Sequence, residues 1–273
     1  MEPEEALRQG DLPAALSGLE DRVRKDPTEA RHRIFLFQLL AVIGEWERAL
    51  KQLRALADLD AAHMPLAWTY RAAIQGEVFR EKVFRGEATP PLFGDPAAWT
   101  ALLLEALRLT VTGEEDKGEK LRMEAFESAP AVSGRIGEAP FEWIADADTR
   151  FGPVVELVVE GRYGWAPFDT IRWLEIEPPE DLRDLVWIPA RLQWRNGGEV
   201  SALVPVRYPG TASLEDTALL LSRRTDWRDC GVNCQAGLGQ RMWATDRSEY
   251  ALLETRHIEL DLPEDASANA GDG

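Results

Sequence analysis

The chain has 273 residues, enough for two domains of ordinary size or one large one, each with a real core. At 45% hydrophobic and 29% charged it has the composition of a soluble globular protein. Its net charge of −17 repels phosphate backbones and anionic headgroups, which argues against nucleic-acid and membrane partners.

The first residues, Met1-Glu2-Pro3-Glu4-Glu5, are acidic where a signal peptide is basic, so no export is expected. Residues 1–130 read as helices. The pattern Gly10-Asp11-Leu12-x-x-Ala15-Leu16-x-x-Leu19 returns as Gly44-Glu45-Trp46-x-x-Ala49-Leu50-x-x-Leu53, displaced by 34 residues, the tetratricopeptide period. Gly permits the turn between two helices, Ala lets their axes approach, and Leu supplies the buried stripe. A third copy at Gly113 looks degenerate, because Gly118-Glu119 stands where Ala-Leu belongs. Ile34 to Ile43 is the longest apolar stretch, far short of the roughly 20 residues that span a bilayer, and reads as a buried helix. Further helices are expected at about 64–85 and 95–111, the second with Asp95 as N-cap and Pro96 at its first position. The expected architecture for this part is a tetratricopeptide-like α-α superhelix. Its inner surface, lined by Trp46, Trp68, Tyr70 and Trp99, is a candidate dock for a peptide or helix, against the simpler reading of these rings as packing residues.

Ser133 to Gly137 reads as a linker, after which the hydrophobic period becomes two. Strands are expected at Val154 to Val159, Thr170 to Ile176, Trp187 to Trp194, Val200 to Val206 and Ala251 to Leu260, with Asn196-Gly197-Gly198-Glu199 as a hairpin turn. Short helices are expected after Pro178-Pro179 and at about 214–222, the latter capped by Ser213. Residues 138–262 thus form an antiparallel, β-rich α+β domain, with a partly closed barrel as one arrangement open to it, and 263–273 a disordered acidic tail with nothing to bury.

No chemistry assembles from these residues. There is no G-x-S-x-G, each of the three His stands in a separate context, and Gly237-x-Gly239 lacks the third glycine of a dinucleotide fingerprint. Cys230 and Cys234, with three residues between them, do not have zinc-knuckle spacing and read as reduced thiols. No catalytic residue, metal or cofactor is expected. Glu180, Asp181 and Asp184 near Trp187 admit a carbohydrate-cleft reading, since seven of the ten Trp follow residue 140, but helix-start charges and core packing explain them as well. Arg162, Arg183, Arg207, Arg224 and Arg241 stand beside Tyr, Trp or Asp. They read either as internal ion pairs stacked on rings or as a recognition surface comprising Arg162, Tyr163, Trp165, Arg207 and Tyr208. The acidity likewise serves solubility or steers a basic partner segment.

Five short motifs occur in order between Gly161 and Arg241. They are Gly161-Arg162-Tyr163-Gly164-Trp165-Ala166-Pro167-Phe168, Asp181-Leu182-Arg183-Asp184-Leu185-Val186-Trp187, Val206-Arg207-Tyr208-Pro209-Gly210, Thr225-Asp226-Trp227 and Gly237-Leu238-Gly239-Gln240-Arg241. As a set they resemble the ImpE (TagJ) family of type VI secretion accessory proteins. The resemblance implies a cytoplasmic, non-enzymatic adaptor that binds the N-terminal helix of the small sheath subunit, TssB, and influences sheath recycling by the ATPase ClpV. Two other classes stay open: a tetratricopeptide-type scaffold for another partner, and a hydrolase or carbohydrate-binding protein.

Overall fold

The computed structural model describes residues 2–261, so the expected tail at 263–273 lies outside the described residues. Helices come first: α1 (Pro3–Gln9), α2 (Leu12–Lys25), α3 (Ala30–Val42), α4 (Trp46–Leu59), α5 (Met64–Val83), α6 (Ala98–Val111) and α7 (Glu115–Ser128). The two sequence repeats are the helix pairs α1–α2 and α3–α4. Gly10 and Gly44 make the turns at φ of 80° and 74°, a region Gly enters without steric cost. Ala15, Leu19, Ala49 and Leu53 are buried as the stripe requires.

The third pair is better formed than its sequence suggests. Gly113 turns at φ 89°, and α7 crosses α6 so closely at Gly118 that a Cβ there would lie 2.5 Å from the Thr110 hydroxyl. Glycine does what alanine does in the other pairs, with a still closer approach. By contrast, α6 begins at Ala98 and not at Asp95. The Phe93 N–H is held by Trp165 O at 2.7 Å and Gly94 sits at φ 84°, so the chain must leave this anchor before a helix can start.

The strands are β1 (Gly134–Ile136), β2 (Ala139–Phe141), β3 (Ile144–Asp146), β4 (Val154–Val159), β5 (Arg162–Pro167), β6 (Ile171–Ile176), β7 (Trp187–Trp194), β8 (Glu199–Pro205), β9 (Thr225–Asp229), β10 (Gln235–Gly239), β11 (Met242–Thr245), β12 (Glu249–Ala251) and β13 (His257–Leu260), with a short helix, α8 (Thr217–Leu220), before β9. These strands pair antiparallel throughout. Eight of them form an open sheet in the order β2-β1-β13-β6-β7-β8-β4-β5, beside a three-stranded sheet β12-β11-β3 and the hairpin β9–β10. The sheet does not close into a barrel. Its β5 edge is covered instead by residues 91–93, whose backbone bonds to Trp165 satisfy groups that would otherwise be exposed.

Three further expectations are corrected. The linker at 133–137 contains β1, paired with β13 and β2, and a Cβ at Gly134 would lie 2.1 Å from Glu259 O, so this glycine serves close strand approach. The helix at 214–222 shrinks to α8, capped by Asp216 through the Ala218 and Leu219 N–H groups and not by Ser213. The strand at 251–260 is broken by a 3-10 turn at Leu252–Glu254.

The large sheet is covered on both faces along β4, which is buried at all six positions, while β7 and β8 keep exposed positions at Arg191, Glu199 and Ser201. Val154, Val158, Tyr163, Trp165, Trp187 and Leu203 join the helices in one hydrophobic cluster. Val155, Leu157, Ile176, Ile188, Leu192 and Val204 point the other way, into a second cluster shared with Ile144 and Trp243 of the small sheet. Among the described residues, no helix is long and apolar enough to cross a membrane.

Candidate functional site

Where α5 meets the sheet, the helix-facing side of β4 carries a carboxylate. Val154-Val155-Glu156-Leu157-Val158-Val159 alternates, which sends Glu156 toward the helices with no exposed surface. A lone buried charge is prohibitively costly unless paired. Arg80 of α5 supplies the pair, donating from Nε at 2.7 Å and from Nη2 to the other carboxylate oxygen; the same Nη2 reaches Arg207 O at 2.8 Å. Arg241 donates to Glu156 and, through its other amino group, to Asp146. The Tyr163 hydroxyl donates to Glu156 and accepts from Trp165 Nε1 at 2.8 Å, while the Tyr208 hydroxyl donates to Asp146 at 3.0 Å. The Arg241 guanidinium also lies 4.8 Å from the Phe151 ring and 5.2 Å from the Tyr208 ring, within cation–π range.

Arg207 has a different task. Buried with no carboxylate within ion-pair distance among the described residues, it donates to Val42 O at 2.5 Å, Ala41 O at 3.2 Å and Leu220 O at 3.0 Å. The carbonyls at the end of α3 are unpaired within the helix, and that end carries partial negative charge, so a guanidinium both satisfies and neutralises it. Arg183 likewise bonds the Tyr70 hydroxyl at 2.8 Å and stacks 5.0 Å from its ring.

The environment moves the acid–base behaviour of these groups. Burial alone would raise Glu156, but Arg80 and Arg241 hold it below the ordinary carboxylate range. Burial, reinforced by the adjacent Asp148, pushes Asp146 up to about 7 despite Arg241. Arg207, desolvated, is pulled down to about 10. Burial pushes the Tyr163 and Tyr208 phenols well up.

Of the nine residues singled out for partner binding, seven turn inward. Tyr70, Trp99, Tyr163, Trp165, Arg207 and Tyr208 are buried, and Trp46 is half-buried, its ring 5.9 Å from that of Trp187 and its Nε1 bonded to Glu81 at 3.0 Å. The Arg/aromatic cluster is therefore an interior joint and not a continuous surface. Trp68, 64% exposed, and Arg162, whose side chain is 77% exposed, remain accessible, on α5 and β5 respectively. Sequence reasoning missed Arg80, Glu156 and Asp146. Glu156 had a signal: one carboxylate inside a six-residue apolar strand requires a buried cation.

The motif glycines have the same purpose. A Cβ at Gly237 would lie 2.2 Å from the Tyr208 ring, and one at Gly239 equally close to Arg224 O. Asp181 and Asp184, read from the sequence as helix-start charges, form a reciprocal capping box at the 3-10 turn Leu182–Leu185. Cys230 and Cys234 are not free thiols; they form a disulfide that closes the β9–β10 turn. That turn rests on α7, where Arg122 donates to Val232 O at 2.9 Å and Glu119 accepts from Asn233. Among the described residues no group of His, Cys, Asp and Glu could hold a metal ion.

Fold and site together define a two-part protein, helix pairs joined to an antiparallel β-rich half, whose unusual polar residues weld the parts. The ImpE protein family model matches residues 138–259, the part that carries all five motifs. A Pseudomonas aeruginosa (strain PAO1) protein described as type VI secretion system accessory component TagJ is 50% identical over 263 residues, 96% of this chain and 92% of that protein. The chain belongs to the ImpE (TagJ) family, as its motifs suggest. The crystal structure of protein VPA1032 from Vibrio parahaemolyticus has the same fold, with a TM-score of 0.87 at 24% identity over 97% of this chain and 99% of that one.

Proposed function

We propose that this chain is a cytoplasmic, non-enzymatic accessory protein of a type VI secretion system. In this reading it binds the N-terminal helix of the small sheath subunit and thereby influences sheath recycling by the ClpV ATPase. The observation that carries the accessory role is the 50% identity, over nearly its whole length, to an accessory component of such a system. Absence of catalysis agrees with the way Glu156, Asp146 and Asp148 are saturated by Arg80, Arg241 and Arg150. We also read the helix pairs as a tetratricopeptide-like superhelix over residues 1–130 and residues 138–262 as a second domain.

Affinity purification of the tagged full-length chain from cells expressing the secretion system tests the reading. Co-purification of the small sheath subunit, lost when that subunit's N-terminal helix is deleted, is the expected result. Recovery without sheath subunits, from cells shown to contain assembled sheath, would contradict it.

A further inference from the structure

The helices cover only part of the sheet face they pack on. α5 lies over β4 and β5, with Gly76 against Tyr163 and Val158. Beside its N-terminal half the same face stays open, as a groove of about 790 Å³ floored by Val158, Pro189 and Leu203 and walled by Trp68. The floor spans β7, β8 and β4, which are consecutive in the sheet. Three strands about 4.8 Å apart make a floor about 10 Å wide, the diameter of one helix with its side chains. Each of these strands is hydrogen-bonded on both sides, so the groove presents no free strand edge, and an incoming strand has nothing to pair with. Trp68 is the most exposed large apolar side chain among the described residues. Tryptophan at the wall of a partly apolar groove is the residue type that most often anchors an interface. Glu160 and Glu177 stand at the rim, in a chain of net charge −17. Arg191 also lines the groove but is paired with Glu175 at 2.5 Å, and Arg162 lies 3.9 Å from Glu160, which leaves Glu177 as the rim carboxylate with no ion pair among the described residues.

We propose that this groove is the dock for an amphipathic helix bearing an apolar stripe and a basic flank, with Trp68, Val158, Pro189 and Leu203 taking the stripe and Glu160 and Glu177 the flank. The inference rests on the sheath-binding reading above and locates its surface between α5 and the sheet, not inside the helical stack. The helix completes the layer that covers this face of the sheet, and the negative rim sets its direction.

The test titrates the full-length chain into a fluorescein-labelled peptide of the small sheath subunit's N-terminal helix. Trp68→Ala, a change at an exposed position, is expected to weaken binding about ten-fold or more with an unaltered circular dichroism spectrum. Glu160→Lys combined with Glu177→Lys is expected to weaken it about three-fold and to flatten its salt dependence. If the wild type binds and both variants bind as well as it does, the groove is not the dock, and the sheath-binding reading survives. If the folded wild type does not bind, that reading fails and the groove falls with it. Sedimentation showing a wild-type dimer that Trp68→Ala converts to monomer would mean that a second copy of this chain occupies the groove, and would also overturn the proposal.

Discussion

The two faces of the eight-stranded sheet are built on different principles. The face away from the helices packs Val155, Leu157, Ile188 and Val204 in an apolar cluster, where any side chain of the right size and shape contributes. The helix-facing side adds Glu156, held by Arg80 from the helical half and by Arg241 from the β-rich half. Apolar packing tolerates small sliding between layers. A carboxylate bound by two guanidiniums and a phenol does not, so the charged face fixes the position of α5 on the sheet as well as covering it.

Substitutions on the two faces should therefore differ in size and in reach. Glu156→Gln leaves Arg80 and Arg241 facing a neutral group in the interior and is expected to cost about 3–5 kcal/mol in urea unfolding, with faster hydrogen exchange in α5 as well as in β4. Leu157→Ala, one residue along on the other face, is expected to cost about 2–4 kcal/mol, with the loss confined to the sheet. Equal exchange patterns in the two variants would remove the distinction between the faces. Reducing the Cys230–Cys234 bridge probes the halves where they meet through a loop. The closed segment is short, so thiol reductant should lower stability by no more than about 2 kcal/mol while raising exchange in the β9–β10 turn and along α7.

The smallest expected effect is a slope. Asp146 has its folded-state pKa raised to about 7, so between its ordinary value near 4 and about 7 the folded chain holds a proton that the unfolded chain releases. Its contribution is full at the acid end and is lost as pH rises through 7. Glu156, held low, contributes above its ordinary range and loses that contribution on acidification. Stability should therefore fall from pH 5 to pH 8, and Asp146→Asn should flatten that fall. An unchanged slope in this variant would assign the pH dependence elsewhere.

Much of this was legible in the chain itself. The 34-residue displacement of Gly10 and Gly44 marked two helix pairs, because turn and close approach each demand a small residue at a fixed place. The alternation in residues 154–159 and 187–206 marked the sheet. Motif order alone identified the family. What escaped reading is what depends on distant partners. Gly118 looked like decay of a repeat until Thr110 stood opposite it, and Gly134 looked like a linker until Glu259 did. Arg207 and Tyr208 suggested a surface because Arg and Tyr anchor interfaces, yet the same chemistry joins two halves of one chain, and only the position of α3's last carbonyls decides between them. Trp68 kept its place on the outside because it lies just beyond the strip of sheet that α5 covers.

A double-mutant cycle on Arg80 and Glu156 tests most directly whether the charged face locks the halves together. Unfolding free energies of Arg80→Gln, Glu156→Gln and the double variant isolate the coupling between an α5 residue and a β4 residue 76 positions apart. A coupling of at least about 2 kcal/mol is the predicted result. Single costs that add to within about 0.5 kcal/mol would contradict the account, because the pair would then be two buried charges that happen to be neighbours and not the joint between the two halves.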